Sequence, residues 1–258
     1  MLLAVDIGNT NVTVGLFAGQ ELRATWRFAT DLNRMPDEYG LLLTGLLAHA
    51  GRTPADVTGG IISSVVPPLV PTFLEVFGRY FSGLRPLVLE AGVKTGVKIL
   101  YENPREVGAD RVANAAAAYR FFGGPTVVID FGTGTTFDVV SARGEYLGGV
   151  IAPGIGIAAE ALFQRTAKLP RVEIARPRSA IGRNTVAAIQ AGLYFGYIGL
   201  VNEILNRIIQ ELGERPRVIA TGGLAELIAP DIPVIERVVP EITLQGLRII
   251  YELNLKEA

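Results

Sequence analysis

Asp6-Ile-Gly-Asn-Thr10 directly follows the apolar run Leu2 to Val5, and Asp130-Phe-Gly-Thr-Gly-Thr135 directly follows a second apolar run, Thr126 to Ile129. Each stretch predicts a strand that ends in a glycine turn led by an aspartate. Glycine lets the backbone approach a phosphate closely, and nearby Thr or Asn side chains and N–H groups can donate hydrogen bonds to its oxygens. One such turn is weak evidence, because strands often end in Asp or Gly where the chain turns. The repetition indicates a duplicated nucleotide-binding fold.

The composition limits the possible ligands. The 258 residues are 49% hydrophobic, and 24 basic against 25 acidic residues give a formal net charge of -1. Lys and Arg do not cluster in a run that could track a phosphate backbone, so we expect no nucleic-acid partner. The chain has no Cys and only one His, which excludes disulfides, thiol nucleophiles and multi-histidine metal sites. Any metal is therefore expected to be a hard, oxygen-liking cation.

The distribution of apolar residues predicts a soluble protein. No uninterrupted apolar stretch reaches the roughly 18 residues that span a bilayer, so we expect no membrane partner. The first residues read as a strand and lack the features of a secretory signal, which favours a cytoplasmic location.

Two halves with one plan are predicted along the chain. Each opens on three strands joined by short turns and continues with alternating helices and strands, which indicates an α/β fold. The opening strands are 2–6, 12–17 and 21–29 in the first half, and 126–130, 135–141 and 145–152 in the second. We expect domains at 1–122 and 123–258, with the last helix a candidate to pack on the N-terminal half.

A long helix is predicted from Asn184 to Leu212. One stripe along it is drawn by apolar residues spaced alternately by four and three, namely Ala187, Ala191, Tyr194, Ile198, Val201, Leu205 and Ile208. The small residues Gly192, Gly196 and Gly199 would allow close approach of another helix. Core packing and a dimer seam are both compatible with that stripe.

The segment Gly108-Ala-Asp-Arg111 precedes a helix predicted from Val112 to Phe122. Asp110 is either the N-cap of this helix or a general base, and the two roles can coexist because a helix N-terminus favours the ionised carboxylate. Arg111 fits either a clamp for a carboxylate or phosphate or a surface ion pair. Tyr101 is either a pocket residue or a packing residue.

Asp6 and Asp130 are expected at the ends of central strands. In a duplicated fold they would face each other across a cleft and place a cation near nucleotide phosphates. Positioning, charge neutralisation and a base for the acceptor hydroxyl are what phosphoryl transfer needs. Thr221-Gly222-Gly223 fits either an adenosine-contacting turn or a simple helix start.

The chain resembles the type III pantothenate kinases of the superfamily of acetate and sugar kinases, Hsp70 and actin. The resemblance runs nearly end to end through ordered motifs. They are Asp6-Ile-Gly-Asn-Thr-Asn11, Thr30-Asp31 with Asp37-Glu38-Tyr39, Gly108-Ala-Asp-Arg111, Asp130-Phe-Gly-Thr133 with Thr136-Phe-Asp138, Gly148-Gly149 with Ala152-Pro153-Gly154, Leu169-Pro170, Gly182-Arg-Asn-Thr185 and Thr221-Gly222-Gly223. One small departure is Gly134, which stands where Ala is usual in the family.

The resemblance implies a duplicated ribonuclease H-like (actin-like ATPase) fold, with two mixed β-sheet halves, flanking helices and a cleft between them. It also implies ATP-dependent phosphorylation of pantothenate to 4′-phosphopantothenate, the first step of coenzyme A biosynthesis, by a homodimer.

The resemblance assigns the site residues as well. The ATP-binding residues would be Asp6, Ile7, Gly8, Asn9, Thr10, Asn11, Val12, Thr13 and Thr133. The pantothenate-binding residues would be Tyr101, Gly108, Ala109, Asp110, Arg111 and Thr185. Asp110 would act as the general base, Asp6 would direct magnesium with ATP, and Asp130 would hold a monovalent cation, potassium or ammonium.

Two other functions remain open from the sequence. The first is a sugar or other small-molecule kinase of the same superfamily, which a substrate panel would separate from a pantothenate kinase. The second is a non-catalytic nucleotide-binding regulatory module, which would bind nucleotide without transferring phosphate. Asp6, Asp110, Arg111 and Asp130 together favour catalysis over the regulatory alternative.

Overall fold

A computed structural model describes residues 1–255 of the chain. The residues divide into two compact units, Met1–Ala117 with the segment from Glu241 onward, and Ala118–Pro240. The division falls inside a helix, and the C-terminal helix belongs to the first unit.

The first unit contains a five-stranded sheet in the order β3-β2-β1-β4-β5. Strand β2 is antiparallel to β1 and to β3, whereas β4 is parallel to β1 and β5 is parallel to β4. The elements up to the division are β1 Leu2–Ile7, β2 Asn11–Ala18, β3 Glu21–Ala29, α1 Pro36–His49, β4 Gly59–Ser64, α2 Leu69–Tyr80, β5 Leu87–Val88, β6 Lys98–Ile99 and α3 Ala109–Phe122, with 3-10 turns at Pro54–Asp56 and Pro104–Glu106. Helix α7, Ile242–Leu255, completes this unit.

The second unit repeats the plan, with its strands in the order β11-β10-β7-β8-β9. Strands β7, β8 and β9 form the antiparallel meander, and β10 and β11 add in parallel. Its elements are β7 Thr126–Phe131, β8 Gly134–Val140, β9 Glu145–Pro153, α4 Ile155–Gln164, α5 Thr185–Leu212, β10 Arg217–Thr221, α6 Ala225–Ile228 and β11 Arg237–Val238, with a 3-10 turn at Ala229–Asp231. The predicted duplication is confirmed.

The first strand of each unit is the centre of its core. Strands β1 and β7 have the same burial pattern, in which only the aspartate near the end, Asp6 or Asp130, is partly exposed. Alternate residues of β1 pack against α1 and α2, and alternate residues of β7 pack against α5 and α6. A strand with neighbours on both faces must be apolar throughout, which is why both runs are continuous in the sequence.

Helix α7 packs on the sheet of the first unit, against β1 and β4. Its approach is close, because a Cβ at Gly246 would overlap the carbonyl oxygen of Ala113 in α3, and a Cβ at Gly59 would overlap the Tyr251 hydroxyl. Arg248 is buried on the same helix and donates to Glu252 Oε1 at 2.8 Å.

Helix α5 carries most of the predicted stripe. Its buried residues are Ala191, Tyr194, Tyr197, Val201, Leu205 and Ile208. Ala187 and Ile198, which the spacing favoured, are only partly buried, whereas Tyr197 is buried although the spacing did not favour it. Among residues 1–255, α5 alone is long and apolar enough to cross a membrane by length and composition, which is weak evidence for a span. Its buried stripe packs into the core of the second unit.

Candidate active site

The turn between β1 and β2 is a tight hairpin at the edge of the first unit's sheet. The Gly8 amide donates to the Asn11 carbonyl at 3.0 Å, and the Thr30 hydroxyl donates to the Gly8 carbonyl at 2.6 Å. Asn9, Thr10 and Asn11 are exposed, whereas Ile7 and Val12 are buried and Thr13 is partly buried. The two hydrogen bonds hold the turn at Gly8. The exposed residues Asn9, Thr10 and Asn11 are accessible to a ligand.

Asp6 lies behind this turn, at the carboxyl end of β1. It stands opposite Ser63 in the parallel pairing with β4, and the Ser63 hydroxyl is buried without a hydrogen-bond partner among the described residues. An unsatisfied buried hydroxyl costs roughly 1–3 kcal/mol, so such groups usually meet a ligand or an ordered water. The Ser63 hydroxyl beside Asp6 can therefore form a hydrogen bond with a ligand or an ordered water.

Asp110 lies at the same edge of the sheet. A Cβ built on Gly108 would be 2.5 Å from Asp110 Oδ1 and 3.4 Å from the Val65 side chain, and the Val65 amide donates to the Ile7 carbonyl at 3.0 Å. Gly108 and Asp110 are therefore next to the ends of β1 and β4. Parallel strands commonly present ligand-binding residues at this end.

Helix α3 begins at Ala109, earlier than the Val112 that the sequence predicted, so the prediction of Asp110 as the N-cap is wrong. Asp110 is in the first turn, where the helix dipole favours a carboxylate. Its Oδ1 accepts a hydrogen bond from the Arg111 amide at 2.8 Å. The helix starts early because Gly108 precedes it without a side chain.

Burial raises the pKa of Asp110 above its ordinary value, against the opposing effects of the Arg111 amide and the Arg111 charge. A carboxylate with a raised pKa is a stronger base than a solvated one once it is ionised.

The remaining predicted residues of the first unit differ in exposure. Arg111 is 7% exposed, so the prediction of a surface ion pair is wrong. Tyr101 is partly buried in the segment between β6 and the turn at Pro104–Glu106. Within this unit the structure brings together the turn at 6–13 and the helix start at 108–111.

The turn between β7 and β8 repeats the arrangement in the second unit. Gly132 and Thr133 are exposed, and Asp130 is partly buried behind them. A Cβ on Gly132 would be 3.3 Å from Asp130 Oδ1, and a Cβ on Gly222 would overlap the same oxygen. Gly222 also has φ +93°, which disfavours any other residue. Glycines therefore leave the carboxylate uncovered on two sides.

Two further contacts at this turn were not predicted. A Cβ on Gly154 would overlap the Thr133 carbonyl, so the backbone directly after β9 packs closely against the turn. The Tyr197 hydroxyl of α5 forms a short hydrogen bond with the buried Thr135 hydroxyl. Burial raises the pKa of Tyr197, the bond with Thr135 lowers it, and the charge of Asp130 raises it.

Thr185 lies at the start of α5, where it is exposed. The preceding Asn184 caps the helix, because its Oδ1 accepts from the Ala187 amide at 2.8 Å. Thr185 lines an open, mostly apolar groove of about 690 Å³. Other residues of the groove are Leu162, Leu169, Gly182, Arg183 and Leu193.

The donors in these turns are hydroxyls, carbonyls, amides and single carboxylates. Residues 1–255 contain no group of three or more His, Cys, Asp or Glu side chains that could hold a metal ion. Such a set does not make a closed protein cage, but it fits hard cations that also bind phosphate oxygens. A duplicated actin-like ATPase fold with these two turns and a carboxylate at the strand ends is that of an ATP-dependent phosphotransferase.

Comparisons with known proteins identify the family. Residues 2–207 match the family model described as Type III pantothenate kinase. A type III pantothenate kinase from Moorella thermoacetica is 54% identical over 254 residues, which cover 98% of this chain and 100% of that protein. One from Pelobacter propionicus is 56% identical with the same coverage. The chain belongs to the type III pantothenate kinase family.

A solved structure supports the fold independently. The activator of the 2-hydroxyisocaproyl-CoA dehydratase from Clostridium difficile aligns with a TM-score of 0.53 at 11% identity, over 100% of this chain and 97% of that chain. At this identity the likeness concerns the fold alone. It agrees with the predicted duplicated ribonuclease H-like architecture.

We predict that Gly222→Ala lowers kcat/KM by roughly 10- to 100-fold, because the added methyl displaces the Asp130 carboxylate. Gly134→Ala is the matched control. A Cβ there would meet the Ala152 carbonyl at 3.7 Å, an ordinary contact, which also explains why Ala suits this position in the family. Steady-state assays of both variants, with thermal melts to verify folding, make the comparison. Equal activity in the two variants would contradict the prediction.

Proposed function

We propose that this type III pantothenate kinase uses the Asp110 carboxylate as the general base when it phosphorylates the primary hydroxyl of pantothenate with ATP. The hydroxyl oxygen would attack the γ-phosphorus, the bond to the β-phosphate oxygen would break, and ADP would leave. The hydroxyl proton would pass to Asp110. The reaction yields 4′-phosphopantothenate, the first step of coenzyme A biosynthesis.

The observation that carries the proposal is the position of Asp110. Its carboxylate lies against Gly108 at the ends of β1 and β4, in the first turn of α3, with a raised pKa. The helix dipole favours the ionised carboxylate, which is the form that a general base needs. The same strand end carries Asp6 and the first phosphate turn.

The nucleotide phosphates would be held by the two glycine turns. In the first turn we assign Asp6, Ile7, Gly8, Asn9, Thr10, Asn11, Val12 and Thr13, and in the second Thr133. Amides and hydroxyls at such turns can donate to several phosphate oxygens at once. Asp6 would orient the magnesium ion of ATP. That ion, when bound, neutralises charge on the transferred phosphoryl group.

Asp130 would hold a monovalent cation, potassium or ammonium. Support comes from the close approach of the backbone to its carboxylate, since a Cβ on Gly132 would lie 3.3 Å from Asp130 Oδ1 and a Cβ on Gly222 would overlap that oxygen. One carboxylate with backbone carbonyls nearby suits a cation of low charge better than a divalent ion, which usually takes several carboxylates.

Pantothenate would be bound by Tyr101, Gly108, Ala109, Asp110, Arg111 and Thr185. Arg111 supplies a buried positive charge that suits the carboxylate of the substrate. Thr185 offers a hydroxyl at the rim of an open groove.

We also propose a homodimer in the cytoplasm. The face of α5 opposite its buried stripe is open, since a Cβ on Gly192, Gly196 or Gly199 would meet nothing within 4 Å. Phe195 on this face is 42% exposed. Small residues beside an exposed aromatic ring allow two helices to approach closely.

We predict that Asp110→Asn lowers kcat by roughly 10²- to 10⁴-fold while ATP still binds, because the variant lacks only the proton acceptor. In the wild type, kcat/KM should fall on the acid side as Asp110 becomes protonated. Because its pKa is raised, this acid limb should lie above the pH of about 3.9 at which an ordinary Asp titrates. Rate profiles against pH for both proteins, with ATP binding measured by calorimetry, test the assignment. Unchanged turnover in Asp110→Asn would refute it.

For the dimer we predict a mass in solution of twice the 27.6 kDa chain. Phe195→Glu should give the monomer, because a charge would be buried in the interface. Leu41→Glu is the matched control, since Leu41 is 66% exposed on α1 in the other unit. Light scattering coupled to size-exclusion chromatography reads out the masses. A monomeric wild type would contradict the proposal.

A further inference from the structure

Tyr197 is a buried tyrosine of α5 that the reaction does not account for. It is 7% exposed, and its ring lies 6.1 Å from the ring of Phe131, centroid to centroid. Its hydroxyl is hydrogen-bonded to the hydroxyl of Thr135, which is fully buried. The side chain thus has an apolar contact and a polar contact on two different residues.

Phe131 and Thr135 flank the second phosphate turn. Phe131 is the last residue of β7, and it stands opposite Thr135 of β8 in the antiparallel pairing. Gly132, Thr133 and Gly134 lie between them. A single side chain from a neighbouring helix therefore touches both ends of the turn that carries Thr133 and follows Asp130.

The Tyr197 hydroxyl contributes something to this region that packing does not. Phenylalanine would fill the same space against Phe131, so packing alone does not require tyrosine. The hydroxyl adds a hydrogen bond to Thr135, which lies at the start of β8, and this bond also constrains the backbone of the turn. Gly132 and Thr133 within the turn are exposed. In a site that binds phosphate, small displacements of donor groups cost much of the catalytic benefit.

We propose that Tyr197 is a positioning residue that holds the second phosphate turn in its ligand-binding geometry through Thr135. The inference rests on the proposed function, in which Asp130 binds a monovalent cation and Thr133 contacts ATP. Tyr197 touches neither ligand in this account. Its effect is to keep the turn ordered before ATP and the cation arrive.

The same helix supplies a matched control. Tyr194 lies one turn earlier on the buried face, and its hydroxyl donates to the Leu227 carbonyl at 3.0 Å and to Asp231 Oδ2 at 2.8 Å. These partners belong to the region of α6 and the 3-10 turn after it, not to the phosphate turn. Tyr194→Phe removes a buried hydroxyl from α5 and leaves the Thr135 contact intact.

The experiment measures three constants for the wild type, Tyr197→Phe and Tyr194→Phe. They are kcat, the KM for ATP, and the potassium concentration that gives half-maximal activation. For Tyr197→Phe we expect the last two to rise by about three- to tenfold, the range of one lost hydrogen bond, with a smaller change in kcat. Tyr194→Phe should leave both within twofold of the wild type, whatever it does to the melting temperature.

A double variant tests the route through Thr135. Thr135→Val removes the same bond from the other side, so Tyr197→Phe with Thr135→Val should be no worse than either single variant. Thr135→Val also replaces Tyr197→Phe as the test variant if the latter does not fold. Additive effects of the two substitutions would overturn the inference.

The remaining outcomes separate this inference from the proposed function. If Tyr197→Phe leaves both constants within twofold, or Tyr194→Phe raises them equally, the inference is wrong and the kinase assignment stands. If the wild type needs no potassium, the cation role of Asp130 fails, and the KM for ATP alone decides for or against Tyr197. If the wild type makes no phosphopantothenate, the proposed function fails, and the dissociation constant for ATP by calorimetry decides.

Discussion

The contact between an aspartate carboxylate and a glycine backbone constrains both halves of this protein. Asp110 lies over Gly108 in the first unit, and Asp130 lies against Gly132 and Gly222 in the second. Because glycine has no side chain, the backbone can lie directly against the carboxylate at these positions. The buried strands β1 and β7 maintain this geometry. In the second unit, Gly154 also packs closely against the Thr133 carbonyl of the turn. Catalysis of phosphoryl transfer depends mainly on such placement.

Helix α5 connects several functions within the second unit. Thr185 at its start faces a groove, Tyr197 holds the phosphate turn, and the opposite face carries open glycines. The rise of an α-helix places Thr185 and Tyr197 roughly 18 Å apart along its axis. A rigid helix of this length can keep a fixed distance between Thr185, the proposed substrate contact, and the phosphate turn that Tyr197 contacts. Association through its open face would stiffen both.

Local signals in the sequence were sufficient for the long strands and their turns, but the two-residue strands Lys98–Ile99 and Arg237–Val238 were not predicted. Apolar runs that end in Asp and Gly predicted β1 and β7 because both strands are buried on two faces. The start of α3 was misplaced because Gly108 allows the helix to begin at Ala109, before the apolar spacing does. The roles of Tyr197 and Ser63 could not be predicted, since each depends on a partner far away in sequence or in another strand. Spacing alone does not distinguish Tyr197 from Ile198 on α5.

The most direct test of the account is product formation in two salts. Purified protein would be incubated with ATP, magnesium and pantothenate, with either potassium or sodium as the monovalent cation, and phosphopantothenate would be followed by mass spectrometry. The account predicts product that depends on potassium, because in the proposed function Asp130 holds a monovalent cation, potassium or ammonium. Equal product in both salts would contradict the cation site, and no product in either would contradict the assignment of pantothenate as the acceptor.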